Sequence, residues 1–344
     1  MKTFSAALLV GSAAAMPLLY NESTICEGGA CEKPDMKYER IATVQPGYQW
    51  DDAGGYCGSW ATQRNLLAHG AWISQQQVRD HTTACGGNDN EILSCNIEEA
   101  WTNLKVSYEA FNAPASVPLP QTDAYYAWLK AQLAAGHTVA WMLMWSGQAY
   151  PIYNLTPPEG MYGHVEPVIG IQSNHPLNDT TVYDDDVVVH YTDGGVNTVH
   201  RVMSTLPCKW AGAGKKADCG KFSYGIGFPY GFGWAAKGFG NAAHPDAKAA
   251  SAAPASLAID PWKREPDTRS GAKPEALKGT LTATELTAGA AYDIYRWDSV
   301  AAALTYDAQY KKATFTAAGA THVYADDKSF QSNSTTYYRV VRAE

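Results

Sequence analysis

Cys57 heads the run Gly55-Tyr56-Cys57-Gly58-Ser59-Trp60-Ala61 and is the odd member of seven cysteines in a chain of 344 residues. The other six fall into short-range couples, Cys26 with Cys31, Cys85 with Cys95 and Cys208 with Cys219. In an oxidising compartment that arithmetic leaves Cys57 unpaired. A free Cys on a helix is also a small buried hydrophobe. At a helix N-terminus, however, unpaired amide N–H groups and the macrodipole favour the thiolate, which is the form that attacks carbonyls. Such a nucleophile needs a base, and His164 in Gly163-His164-Val165-Glu166-Pro167-Val168-Ile169-Gly170 opens an apolar run that reads as a strand. A third group should orient the imidazole. Asp193, just past the next apolar run, is the candidate. Glu166 shares the strand face of His164 by period two and is the alternative.

The elements that must position these groups follow from spacing. Cys57 to Ala68 is helical and stops at Gly70, a natural C-terminal cap. Ile73 to His81 is a second helical stretch with Ser74 as its N-cap. Ile97, Ala100, Trp101 and Leu104 recur at helical spacing, and Thr122-Asp123 opens an apolar helix through Ala135. Strands are expected over Thr138 to Trp145, His164 to Ile171 and Val187 to Tyr191. Helices first and strands afterwards is an α+β pattern rather than a βαβ winding.

Several segments, in order, resemble the papain-like cysteine peptidases over about residues 45 to 235. Cys57-Gly58-Ser59-Trp60-Ala61 resembles the start of the active-site helix, and Ser74-Gln75-Gln76-Gln77-Val78-Arg79-Asp80 the helix that follows it. Cys95-Asn96 with Ala100-Trp101 is similar to the family's Cys-Asn-Gly-Gly segment, and Gly163-His164 through Gly170 to its catalytic-histidine strand. The resemblance implies a two-lobed fold, a helical lobe beside a β-barrel-like lobe. It implies a peptidase in which Cys57 attacks, His164 moves the proton and Asp193 orients it. A Gln six residues before the nucleophile usually serves the oxyanion. That position is Asp51 here, and the nearest Gln is Gln49, which fits if the intervening loop is two residues longer.

The departures keep alternatives open. The family usually writes Cys-Gly-Ser-Cys-Trp, with the second Cys as nucleophile and the first in a disulfide. Aligning on Trp60 puts Ser59 at the nucleophile position and pairs Cys57 with Cys95. A Cys-Gly helix start is also similar to the bacteriocin-processing peptidases and phytochelatin synthases of the same broad fold. The usual Asn-Ser-Trp is Asp193-Gly194-Gly195, and the segment before the helix is too short for a long inhibitory propeptide. Three functions remain: a thiol peptidase, an inactive homologue that binds protein or glycan, and an acyltransferase using the same Cys-His pair. None calls for a metal or organic cofactor. His164, Glu166 and His190 could suit zinc, but no paired ligand motif accompanies them.

Lys2, the apolar Ala6 to Val10 and Ser12-Ala13-Ala14-Ala15 read as a signal peptide over 1–15, so a secreted, extracellular protein is expected. Asn21, Asn154, Asn178 and Asn333 begin glycosylation sequons. A net charge of −8 argues against a nucleic-acid partner, and no later run is long enough to span a membrane. The resemblance implies a peptide or protein substrate. The expected organisation is a short segment over 16–44, a papain-like domain over 45–240, an Ala, Ser and Pro-rich linker over 241–276 and a small all-β sandwich over 277–344. In the last, Leu286, Gly289 and Tyr292 resemble the Leu-x-x-Gly-x-x-Tyr corner of fibronectin type III modules, which implies a protein or glycan contact. The run Gly225 to Trp234 is either a substrate-facing aromatic loop or a packed Gly-rich connection.

Overall fold

The computed structural model describes residues 35–50, 55–84, 91–92, 95–111, 116–117, 121–146, 161–191, 198–205, 225–226, 231–260, 265–266, 268 and 271–343. The expected signal peptide, Asp193, every cysteine other than Cys57 and Cys95, and the sequons at Asn21 and Asn154 lie outside the described residues.

Four α-helices are described: α1 (Cys57–Leu67), α2 (Gln75–Asp80), α3 (Ile97–Asn103) and α4 (Thr122–Ala134). The strands are β1 (Tyr38–Ile41), β2 (Ala71–Ile73), β3 (Val106–Ala110), β4 (Thr138–Ser146), β5 (Met161–Ser173), β6 (Val187–His190), β7 (Val199–Val202), β8 (Gly225–Ile226) and β9 (Gly233–Phe239). They continue as β10 (Ala252–Ala253), β11 (Ala255–Asp260), β12 (Ala276–Ala283), β13 (Ala291–Trp297), β14 (Lys311–Thr316), β15 (His322–Ala325), β16 (Phe330–Gln331) and β17 (Thr335–Arg342). The mixed helix and sheet content is α+β. Its helices fall within the stretches whose spacing predicts them, except that Ile73, expected in the second helix, ends β2 instead, and Ser74 accepts from the Gln77 amide as the N-cap of α2.

Every residue of α1 is buried, which a helix can sustain only if its polar side chains find partners. Trp60 donates from Nε1 to the Gly47 carbonyl at 2.9 Å, and Gln63 donates to the Ile73 carbonyl at 3.0 Å. The helix stops at Gly70, whose φ of +84° a residue with a side chain rarely adopts. Burial of Trp60, Leu66 and Leu67 contributes about 1.5–3 kcal/mol each.

The first sheet runs β3-β9-β4-β5-β6-β7, antiparallel throughout, with β1 also on β5 and β8 on β4. Its two faces bury different helices. Val139, Trp141, Leu143, Val168 and Val188 pack with Tyr125, Leu129 and Leu133 of α4. Ala140 and Val165 join Cys57, Ala61 and Leu66 of α1.

Within the region expected to be a linker, residues 252–253 and 255–260 form strands. Ala252 and Ala253 pair with Val341 and Val340, and β11 pairs with β12 along its length. The physical reason is that small residues fit close strand pairing, while Leu257 and Ile259 supply buried anchors. Two further sheets, β10-β17-β13-β14 and β11-β12-β15, face each other through Leu257, Leu281 and Phe330 on one side and Ile294, Tyr338 and Val340 on the other. The Tyr292 hydroxyl accepts from the Thr287 amide at 3.0 Å. The C-terminal sheet is not confined to its own segment, because β2, next to α1, pairs antiparallel with β17.

Candidate active site

Cys57 is the first residue of α1, and its thiol is free. No acidic residue of the helix itself occupies its first turn and no side chain caps it, while the Glu91 carboxylate lies against Gly55, two residues before Cys57. Gly58 lets the helix start against Ile92, because a Cβ there would meet the Ile92 carbonyl oxygen and lie 2.8 Å from its Cβ. Arg79 brings a positive charge to the same end. It donates to the Gly55 carbonyl at 2.7 Å, and its guanidinium lies 3.4 Å from the centroid of Tyr56.

Gln49 is buried between two residues held by one side chain. Gln75 of α2 accepts from the Trp50 amide at 3.0 Å and donates to the Tyr48 carbonyl at 2.9 Å. The Trp50 ring stacks obliquely on Tyr56, 5.4 Å between centroids, which brings the Gln49 segment to the residue before Cys57.

His164 lies on β5, the strand that packs against α1. It stands opposite Leu143 of β4, and Glu166 stands opposite Trp141, so both share the sheet face of α4 while Val165 turns toward the cluster of Cys57. β6 joins β5 only from Val168, with the Tyr191 amide donating to the Pro167 carbonyl. Over His164 to Glu166, the edge of β5 away from β4 therefore carries no strand among the described residues. No hydrogen bond joins the Cys57 thiol to the His164 ring among the described residues. Catalytic hydrogen bonds are often long without substrate and tighten on binding.

The arrangement behind His164 is polar and buried. Glu166 is wholly buried. Its Oε2 accepts from His190 Nδ1 at 2.9 Å and from Trp141 Nε1 at 3.4 Å, and its Oε1 lies 3.7 Å from His164 Nε2. Arg201 of β7 donates from Nε to His190 Nε2 at 3.0 Å. Burial, against the pull of Glu166, holds the His190 pKa below its ordinary value, and the Arg201 charge acts in the same direction.

Of the residues chosen from sequence, Cys57 and Gln49 come to one end of α1, and His164 comes to the strand beside it. Asp193 is outside the described residues. Ser59 is wholly buried, and its Oγ has no hydrogen-bond partner among them. Cys95 is in a disulfide and Cys57 is not, so the alternative Cys57–Cys95 pairing does not form. Both His190 nitrogens are engaged, and no group of three or more His, Cys, Asp or Glu among the described residues is arranged to hold a metal ion. Gly231 and Gly233 press on Tyr125 and Trp128, which makes that part of the Gly-rich run a packed connection. Arg79, Trp141 and Arg201 were not selected from sequence as part of the site, and His190 was named there only as a possible zinc ligand beside His164 and Glu166. Their signal was partial: Arg79 lies in the Ser74–Asp80 helix, and His190 ends an apolar strand.

No protein-family model matches the chain, and no curated protein matches it. Among solved structures the chain is similar to the clostridial cysteine protease Cwp84 after propeptide cleavage, at 12% identity over 88% of this chain and 81% of that one, with a TM-score of 0.32.

Proposed function

We propose that the protein is a secreted thiol hydrolase of the papain-like kind, acting on peptide or protein substrates through an acyl-enzyme at Cys57. The observation that carries this reading is a free thiol on the first residue of a buried helix, packed on the strand that bears a carboxylate-flanked imidazole at an open edge. In the proposed chemistry Cys57 Sγ attacks the scissile carbonyl carbon and His164 takes the thiol proton, then returns it to the leaving amine. Water attacks the thioester with His164 as base, releasing the acid and restoring the thiol. The Cys57 amide and the Gln49 side-chain amide stabilise the oxyanion, one such donor contributing about 10²- to 10³-fold in rate. Asp193 or Glu166 orients His164. The same residues would serve acyl transfer to an amine or thiol.

Residues 277–344 are proposed to be a fibronectin type III-like module for protein or glycan contact, a reading supported by the hydrogen bond from the Thr287 amide to the Tyr292 hydroxyl. Asn178 and Asn333 are exposed, as glycosylation on a secretory route requires.

One observation favours a second reading, an inactive homologue that binds rather than cleaves. Cys57 shares an apolar cluster with Ala61, Ile92 and Val165 and lacks a hydrogen bond to His164. Hydrolysis of a broad peptide library by the wild type, Cys57→Ala, His164→Ala and Ser59→Ala separates the two. The hydrolase reading expects both Cys57→Ala and His164→Ala to abolish cleavage without additive losses, and Ser59→Ala to be mild. Absence of cleavage by the wild type, or full activity of Cys57→Ala, would contradict it.

A further inference from the structure

We infer that His190 is a positioning residue for this chemistry: Arg201 fixes its tautomer, and His190 in turn holds Glu166 with one carboxylate oxygen turned to His164. The inference rests on the thiol-hydrolase reading above, and it begins from donor and acceptor identities. Arginine Nε can only donate. The 3.0 Å contact from Arg201 Nε therefore makes His190 Nε2 an acceptor and places the ring proton on Nδ1. That proton points at Glu166 Oε2, 2.9 Å away, where the Trp141 indole adds a second donor. Oε2 is thus satisfied by two groups on neighbouring strands. Oε1 has no hydrogen-bond partner among the described residues and lies 3.7 Å from His164 Nε2.

A buried carboxylate with one oxygen tied and the other open is costly unless something uses it. An imidazolium at His164 would. When His164 takes the Cys57 proton, its Nε2–H gains a pre-placed acceptor.

The Arg201 charge beside His190 disfavours its protonated form. From β4 the neighbours are Trp141 and Leu143, and from β6 the neighbour is His190, with Arg201 of β7 behind it. Helix α4 packs on this face through Tyr125, Leu129 and Leu133, and its Lys130 is already paired with Asp186 at 2.7 Å. An opposing arrangement, in which His190 is charged and shares a proton with Glu166, would leave Arg201 Nε aimed at a second donor.

Two measurements on the full chain test the inference. Proton–nitrogen spectra of the wild type labelled with ¹⁵N-histidine should show His190 as the neutral Nδ1–H tautomer at pH 7. An Nε2–H tautomer or a charged ring overturns the inference without any substitution. The second measurement is the rate of Cys57 alkylation by iodoacetamide at pH 6. Glu166→Gln and His190→Leu are expected to slow it about tenfold, the equivalent of one unit in the thiolate–imidazolium balance. His190→Asn, whose amide N–H stands where Nδ1–H stood, should recover most of the wild-type rate. Wild-type alkylation in His190→Leu, in a preparation where His164→Ala is slow, overturns the inference and leaves the hydrolase reading intact. If His164→Ala alkylates like wild type, the hydrolase reading itself falls, and the inference with it.

Discussion

Glu265 sits wholly inside the protein, where its Oε2 accepts from Gln63 at 2.7 Å and both oxygens lie 3.3 Å from the Gln75 amide. Burial raises its pKa from 4.5 to about 8, and its hydrogen bonds and the nearby Arg64 charge recover only part of that displacement. Burial also lowers Arg64 to about 10, so it stays charged at neutral pH while bonding the Gln45 and Pro46 carbonyls. The consequence is a pH dependence with a definite sign. Between about pH 4.5 and 8 the folded state keeps a proton that the unfolded state has released, so stability falls as pH rises through that window. Glu265→Gln should flatten that fall and be the more stable of the two at pH 8. Urea unfolding at pH 5 and pH 8 measures it, and equal slopes for the two proteins would contradict the assignment.

At the scale of elements, the start of α1 depends on close approach. A methyl group on Gly58 would strike the Ile92 backbone, which cannot yield as a flexible side chain can. Gly58→Ala should therefore cost about 1–3 kcal/mol by overpacking. It should also lower hydrolysis on the order of 10²-fold through a shift of the neighbouring thiol. Unfolding free energy and turnover measured together check it, and loss of stability with turnover unchanged would show that Cys57 is not positioned by this contact.

Much of this layer was legible in the sequence. The apolar spacing of Ile97, Ala100 and Trp101 and the Ser74 cap gave local signals that tertiary packing did not override. Period two also placed Glu166 on the face of His164. What could not be read was pairing across distance. Nothing in Ala71-Trp72-Ile73 names Thr335 to Tyr337 as its partner, and the register that puts Arg201 opposite Val188, beside His190, is set by a connection whose length alone does not fix it.

Across the whole molecule, the two halves share their interior. Cys57, Trp101 and Val165 belong to one apolar cluster with Tyr295, Trp297 and Tyr337, while Trp60 and Leu67 belong to another with Leu257, Ile294 and Tyr338. Polar ties cross the same boundary. Tyr337 donates to the Leu104 carbonyl at 3.1 Å, Lys105 to the Ala303 carbonyl at 2.8 Å and Trp72 to the Ser332 carbonyl at 3.0 Å. Modules joined by a free tether unfold separately, whereas a shared core couples them. Calorimetry should show one cooperative transition, and two well-separated ones would contradict the coupling. Composition suggested a linker near residue 250 because it counts side chains without seeing that Ala252, Ala253 and Leu257 are strand partners.

The proposal that Cys57 forms the acyl-enzyme is tested most directly by catching it. Incubation with an activated peptide ester, followed by rapid acid quench and peptide mapping, should place the acyl mass on Cys57 in the wild type. The adduct should be absent from Cys57→Ala and much reduced in His164→Ala. An adduct on Ser59, or none on an intact and folded wild type, would contradict the account.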